Sequence, residues 1–217
     1  TIADQANSGD FQEFVPVNVP VDQSALDLYG TYLIDHVNTS TSRPDFPTAA
    51  SIMQAFWQRD RGSSVDGVVS LDPLALALML DATGDITLTS GDVLTSDNAV
   101  SLLTNGVYMR FPDNEDQPKA DAFFAEAAAT IIDRVMSGNF DIPAMVEAVS
   151  TGVEQGDIMM WSSNPEEQAA LDGFRIQGKL PTTNDQTTTI GVYFRDTSAS
   201  KMDYYLNTAT TTTSDFC

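Results

Sequence analysis

The chain has 217 residues, 42% of them hydrophobic, enough to bury one sizeable core and to favour one large domain over two small ones. Against 10 Lys and Arg stand 31 Asp and Glu, a formal net charge of -21, so the overall field opposes nucleic acid and anionic membrane surfaces as partners. The longest near-pure apolar run, Leu74 to Leu80, falls far short of the roughly 18 to 20 residues a membrane-spanning helix needs.

In chain order, Phe14 to Pro20 alternates apolar residues with prolines and predicts a short edge strand within a docked arm. Leu26, Tyr29, Leu33, Ile34 and Val37 recur at helical spacing, so Ala25 to Val37 reads as one helix carrying the sole histidine, His36. Asn38 to Ala50 reads as a loop until Pro47 and Thr48 admit a helix, with a face of Ile52, Met53, Phe56 and Trp57, that runs out at Arg61 and Gly62. Val65 to Leu71 is a valine-rich strand that passes directly into a helix, capped by Asp72, opened by Pro73 and closed at Gly84.

Asp85 to Thr95 predicts a hairpin about Ser90, Gly91 and Asp92. A short helix over Asp97 to Thr104 follows, closed by Asn105 and Gly106, and Val107 to Phe111 then reads as an extended piece. Phe123, Phe124, Ala127, Ile131, Ile132, Val135 and Met136 form a wide stripe on a helix over Lys119 to Ser137. Pro143 opens another helix through about Glu154, Ile158 to Trp161 is a buried strand, and Asn164, Pro165, Glu166 and Glu167 start one more helix. Residues 189–217, beginning with a strand over Thr189 to Asp196, read as a strand-rich part of the same domain. Together these units predict an α/β fold, a mixed central β-sheet flanked by helices.

A Ser-His-Asp or Cys-His site needs its histidine as base, and the sole candidate sits in an Asp35–His36 pair with no nucleophile elbow anywhere in the chain. One histidine and one terminal cysteine do not make a zinc tetrahedron, which leaves oxygen-ligated ions. The loop Asp113, Asn114, Glu115 and Asp116 concentrates carboxylates suited to magnesium or calcium, although it lacks the spaced ligands and glycine of an EF-hand and reads first as a solvated acidic loop. Cys217, the only cysteine, has no partner within the chain and would pair outside it.

The runs Arg43–Trp57, Val65–Asp85, Leu94–Phe111, Trp161–Leu171 and Ser200–Leu206 resemble a family of Gram-positive bacterial envelope proteins known as domain of unknown function 4012. That resemblance implies an extracytoplasmic domain from a longer protein, joined to the membrane only by an N-terminal anchor missing from this chain. More distantly, the middle of the chain is similar to the LytR-CpsA-Psr family, which transfers glycopolymers from polyprenyl-pyrophosphate lipids to the cell wall. In that family a Tyr-x-Arg-x-Arg strand precedes an Asp-x-x-Arg-x-x-Arg-Gln helix start. Here Tyr108 to Pro112 keeps the first arginine as Arg110 and loses the second, while Asp116 to Phe123 keeps the aspartate as Asp116, carries Lys119 for an arginine, and loses the rest. The resemblance implies a LytR-CpsA-Psr-like fold with Arg110 and Lys119 as ligand-binding residues and Asp116 beside a divalent cation. Loss of the arginine forks, which clamp pyrophosphate in two directions, favours a non-catalytic or ligand-binding envelope domain over an active phosphotransferase. The expected partner is a cell-wall polymer or a lipid-linked glycan.

Overall fold

Aspartate or asparagine with proline one or two residues later is the commonest way a helix begins in this chain. The computed structural model describes residues 2–181, 188–194 and 202–213. In chain order its main elements are α1 (Gln23–Tyr29), α2 (Tyr32–Asp35), a 3-10 turn over Val37–Ser42, α3 (Phe46–Arg61), β1 (Gly67–Leu71), α4 (Pro73–Thr83), β2 (Ile86–Thr87) and β3 (Val93–Leu94). There follow α5 (Ala99–Ser101), running through a π segment over Leu102–Gly106 into α6 (Val107–Arg110), then α7 (Gln117–Met136), α8 (Ile142–Gln155), β4 (Ile158–Ser162) and α9 (Pro165–Ala170). The side chains of Asp45, Asp72, Asp141 and Asn164 each accept a hydrogen bond from a backbone N–H in the first turn of α3, α4, α8 and α9, with proline at the start of the helix.

Strand and helix are both present, but helix takes 54% of the described residues, among which the expected mixed central sheet is replaced by two separate two-stranded ones. β1 pairs antiparallel with β4, from Gly67 opposite Ser162 to Leu71 opposite Ile158, and β2 pairs antiparallel with β3. β1 and β4 each pass directly into a helix, α4 and α9. Among the described residues the strand that meets β1 is β4, which is reached through α8 and enters from the opposite end. Among the described residues no further strand joins either sheet. Nor is any described helix long and apolar enough to cross a membrane.

Four local expectations are corrected. Ala25 to Val37 is two helices, because Gly30 takes a left-handed φ of 72° and ends α1. Phe14 to Pro20 makes no strand; it docks through Phe14 N–H to Asp35 O and Val17 N–H to Ile34 O. Asn105 and Gly106 close nothing: Val107 N–H reaches back to Leu102 O, and the helix continues through Tyr108 to Arg110 because Val107 is drawn fully into the core. The segment expected as a strand from Thr189 forms none over 188–194, while Arg195 and Asp196 lie outside the described residues, as does Cys217.

Contacts divide the chain into two units, Thr1–Leu180 and Pro181–Cys217. The larger contains two apolar clusters. α4 is apolar almost all round and packs chiefly on α8, with α7, the hairpin and the 99–110 helix closing over Leu80, Ile86, Leu94, Val107 and Ile131. The other gathers Val17 of the arm, Ala25, Leu33, Ile52 and Phe56. Burial of each large side chain in these clusters stabilises by about 1.5–3 kcal/mol. α7 also ties the first cluster together by polar contacts: Arg134 Nη1 donates to Thr83 O and Gly84 O, at 2.9 and 2.8 Å, satisfying the C-terminus of α4. In the smaller unit the described residues show one regular element, a 3-10 turn over Met202–Tyr205.

Candidate functional site

Arg110 ends α6 with its guanidinium aimed at the hairpin turn. Nη1 and Nη2 donate to Asp92 Oδ2 and Oδ1 at 2.6 and 2.8 Å, a two-pronged pair, and the guanidinium carbon lies 5.8 Å from the centre of the Phe123 ring. These bonds, with a further one from Ser90 Oγ, hold the Asp92 carboxyl down at about 2. On the same turn Glu126 of α7 accepts from Thr89 N–H at 2.6 Å and from Thr89 Oγ at 2.8 Å. Arg110 is thus one of the side chains that fasten the hairpin to the helices behind it.

Asp116 and Lys119 form a different pair. Asp116 occupies the cap position of α7 and is followed by Gln117 and Pro118, yet it makes no side-chain cap bond, its backbone being already helical. Its Oδ1 instead accepts from Lys119 Nζ at 2.6 Å, and the lysine side chain is 65% exposed. Among the described residues no hydrogen bond or ion pair joins Arg110 to Lys119 or Asp116, and no three of His, Cys, Asp and Glu gather as metal ligands.

Two further clusters carry chemistry. At the head of α4, Asp157 Oδ2 is buried without a hydrogen-bond partner. Burial foremost, then the charge of neighbouring Asp72 and a hydrogen bond with it, push the Asp157 carboxyl up. At the end of α2, Asp35 and His36 are both buried, and Asp35 Oδ1 lies 2.5 Å from His36 Nδ1. The imidazole is flanked by Phe14, edge-on with centroids 4.5 Å apart, and by Tyr32, tilted at 4.8 Å. Both flanking rings are largely exposed. The adjacency of Asp35 and His36 was visible in sequence; that Phe14, 22 positions upstream of His36, returns to it was not.

Residues 1–108 match the model of a protein family described as Protein of unknown function (DUF4012). The match contains Phe14, Tyr32, Asp35 and His36 and stops two residues before Arg110. No curated protein and no solved structure matches the chain.

Proposed function

We propose that this chain, matched over its first 108 residues to a family of unknown function, is a non-catalytic, ligand-binding domain of a Gram-positive bacterial envelope, working outside the membrane on a LytR-CpsA-Psr-like scaffold. One observation carries the preference for binding over catalysis: both prongs of the Arg110 fork are engaged by Asp92. A phosphotransferase would need that fork for a pyrophosphate, and here it holds a hairpin. Lys119 is a point charge already paired with Asp116, the residue that a magnesium-dependent mechanism would require for its ion. The expected ligand is a cell-wall polymer rather than its lipid-linked precursor.

Incubation with a short-chain polyprenyl pyrophosphate and magnesium tests this. The expected outcome is neither saturable binding nor release of phosphate. Magnesium-dependent binding that is lost in both Arg110→Gln and the exposed variant Lys119→Gln would establish the transferase alternative instead.

A further inference from the structure

Phe14 is the one non-glycine residue with positive φ among those described, at 60°, a conformation side chains other than glycine rarely adopt. Its neighbours hold it there. Phe14 N–H donates to Asp35 O at 3.0 Å and Val17 N–H to Ile34 O at 2.8 Å, while Arg59 donates to Val15 O and, at 2.7 Å, to Gln12 O. Burial does not explain the arrangement, since Phe14 is 71% exposed. A strained residue kept in place by four hydrogen bonds, with its ring left in water, is the pattern expected where strain serves a site.

The imidazole beneath it is prepared for one role. Asp35 Oδ1 is placed to accept a hydrogen bond from Nδ1–H, and in the neutral tautomer that carries this proton Nε2 is a hydrogen-bond acceptor. Among the described residues nothing hydrogen-bonds Nε2, and Nε2 is not among the fully enclosed polar atoms without a partner, although His36 as a whole is only 8% exposed. The nearby hydroxyls are committed elsewhere: Thr39 Oγ donates to the carbonyls of Tyr32 and His36, and Ser40 Oγ to that of Val37. With no nucleophile beside it, the imidazole binds rather than reacts.

On the ligand-binding reading above, we propose that Phe14, Tyr32 and His36 form a subsite for one pyranose unit of a neutral glycan. The sugar's apolar ring face packs on the two aromatic rings and one of its hydroxyls donates to His36 Nε2. Aromatic faces beside a single well-placed polar atom suit a ligand that is apolar on one side and hydroxylated at its rim. The net charge of -21 opposes polyanionic ligands. A cation is the poorer fit because Asp35, the carboxylate of the cluster, is turned inward onto Nδ1 and offers no counter-charge.

Because His36 is the sole histidine, its ring nitrogens give unambiguous NMR signals in the intact chain. Titration with neutral tetramers of N-acetylglucosamine and of glucose, up to about 10 mM, is expected to shift Nε2 saturably with a Kd of about 1 mM for at least one of them. Phe14→Gly, in which glycine accepts the backbone conformation, is expected to leave the melting temperature unchanged or higher while weakening binding more than about tenfold, which a merely structural phenylalanine would not do. Tyr32→Ala gives a second, independent loss. Three results would overturn the subsite: no shift with either tetramer, a shift undiminished in Phe14→Gly, or a larger shift with choline chloride. Glycan binding that leaves His36 unmoved would remove this subsite and spare the binding-domain reading, whereas binding of the prenyl pyrophosphate would remove that reading itself.

Discussion

The Arg110 cluster and the His36 cluster are built from the same materials, a base paired to a carboxylate beside aromatic rings, and they do opposite things. Arg110 spends both prongs on Asp92 and covers Phe123, so the hairpin is fixed and the two-pronged face that would clamp a pyrophosphate is taken. His36 spends one nitrogen on Asp35 and leaves the other without a hydrogen-bond partner among the described residues, beside two exposed aromatic residues. What separates a fastening from a binding site is therefore how many of a side chain's donors and acceptors the fold itself consumes, and residue type says little about that.

The comparison can be pressed hardest at the arm. Arg59 Nη2 pairs with Asp60 at 2.6 Å, and the Asp60 side chain is only 3% exposed, so Arg59→Met strands a buried carboxylate and frees the segment that carries Phe14. A loss of about 3 kcal/mol is expected, read as a fall in melting temperature of roughly 6–12 °C with faster amide exchange over residues 12–17.

A smaller effect is expected at the hairpin. Arg110→Met or Asp92→Asn should each cost about 1 kcal/mol, since the pair is partly exposed to water. The pH dependence has a definite sign. With its folded-state carboxyl lowered to about 2, Asp92 contributes stability fully above the ordinary carboxylate value of about 3.9 and loses it as pH falls toward 2. Denaturation curves of the Asp92→Asn variant should lack that part of the acid-induced slope, whereas an unchanged slope would mean the pair does not hold the turn.

Asp157 reverses the sign. Its carboxyl is raised, so the folded state prefers the proton and the charged form opposes folding at neutral pH. Asp157→Asn is expected to stabilise at pH 7 by less than about 1 kcal/mol, an advantage that vanishes below the ordinary carboxylate value as the wild-type group protonates. Thermal melts at pH 7 and at pH 3.5 distinguish this from a general effect of removing one negative charge.

Helix beginnings were the most legible feature of the sequence, because an Asp or Asn cap with a following proline acts over four residues and needs no distant partner. Asp45, Asp72, Asp141 and Asn164 all follow that rule. Asp116 shares the pattern and breaks it, its carboxylate drawn to Lys119. Strand partners were illegible for the opposite reason: Gly67 meets Ser162 across 95 positions, and nothing local in β1 says which strand will arrive or in which direction. The same limit hid the site. Asp35 and His36 are neighbours in sequence, but Phe14 reaches them only after the arm is held by Arg59, and no periodicity marks its positive φ. Arg110 was singled out by a motif whose chemistry depends on a free fork, and Asp92, 18 residues upstream, takes that fork up.

The π segment over Leu102–Gly106 bears on how that came about. A wide turn of this kind accommodates one residue more than a regular helix of the same rise, and each residue of an α-helix advances the direction of its side chains by about 100°. A Cβ at Gly106 would lie 2.9 Å from Leu102 Cδ1, a contact that a turn of the leucine side chain relieves. Shortening the segment by a single residue would restore an ordinary α-helix and swing Arg110 about a quarter-turn away from Asp92, leaving an unengaged guanidinium on the surface. The phase of one helix, set by a one-residue surplus, thus decides whether this arginine faces inward as a fastener or outward toward solvent.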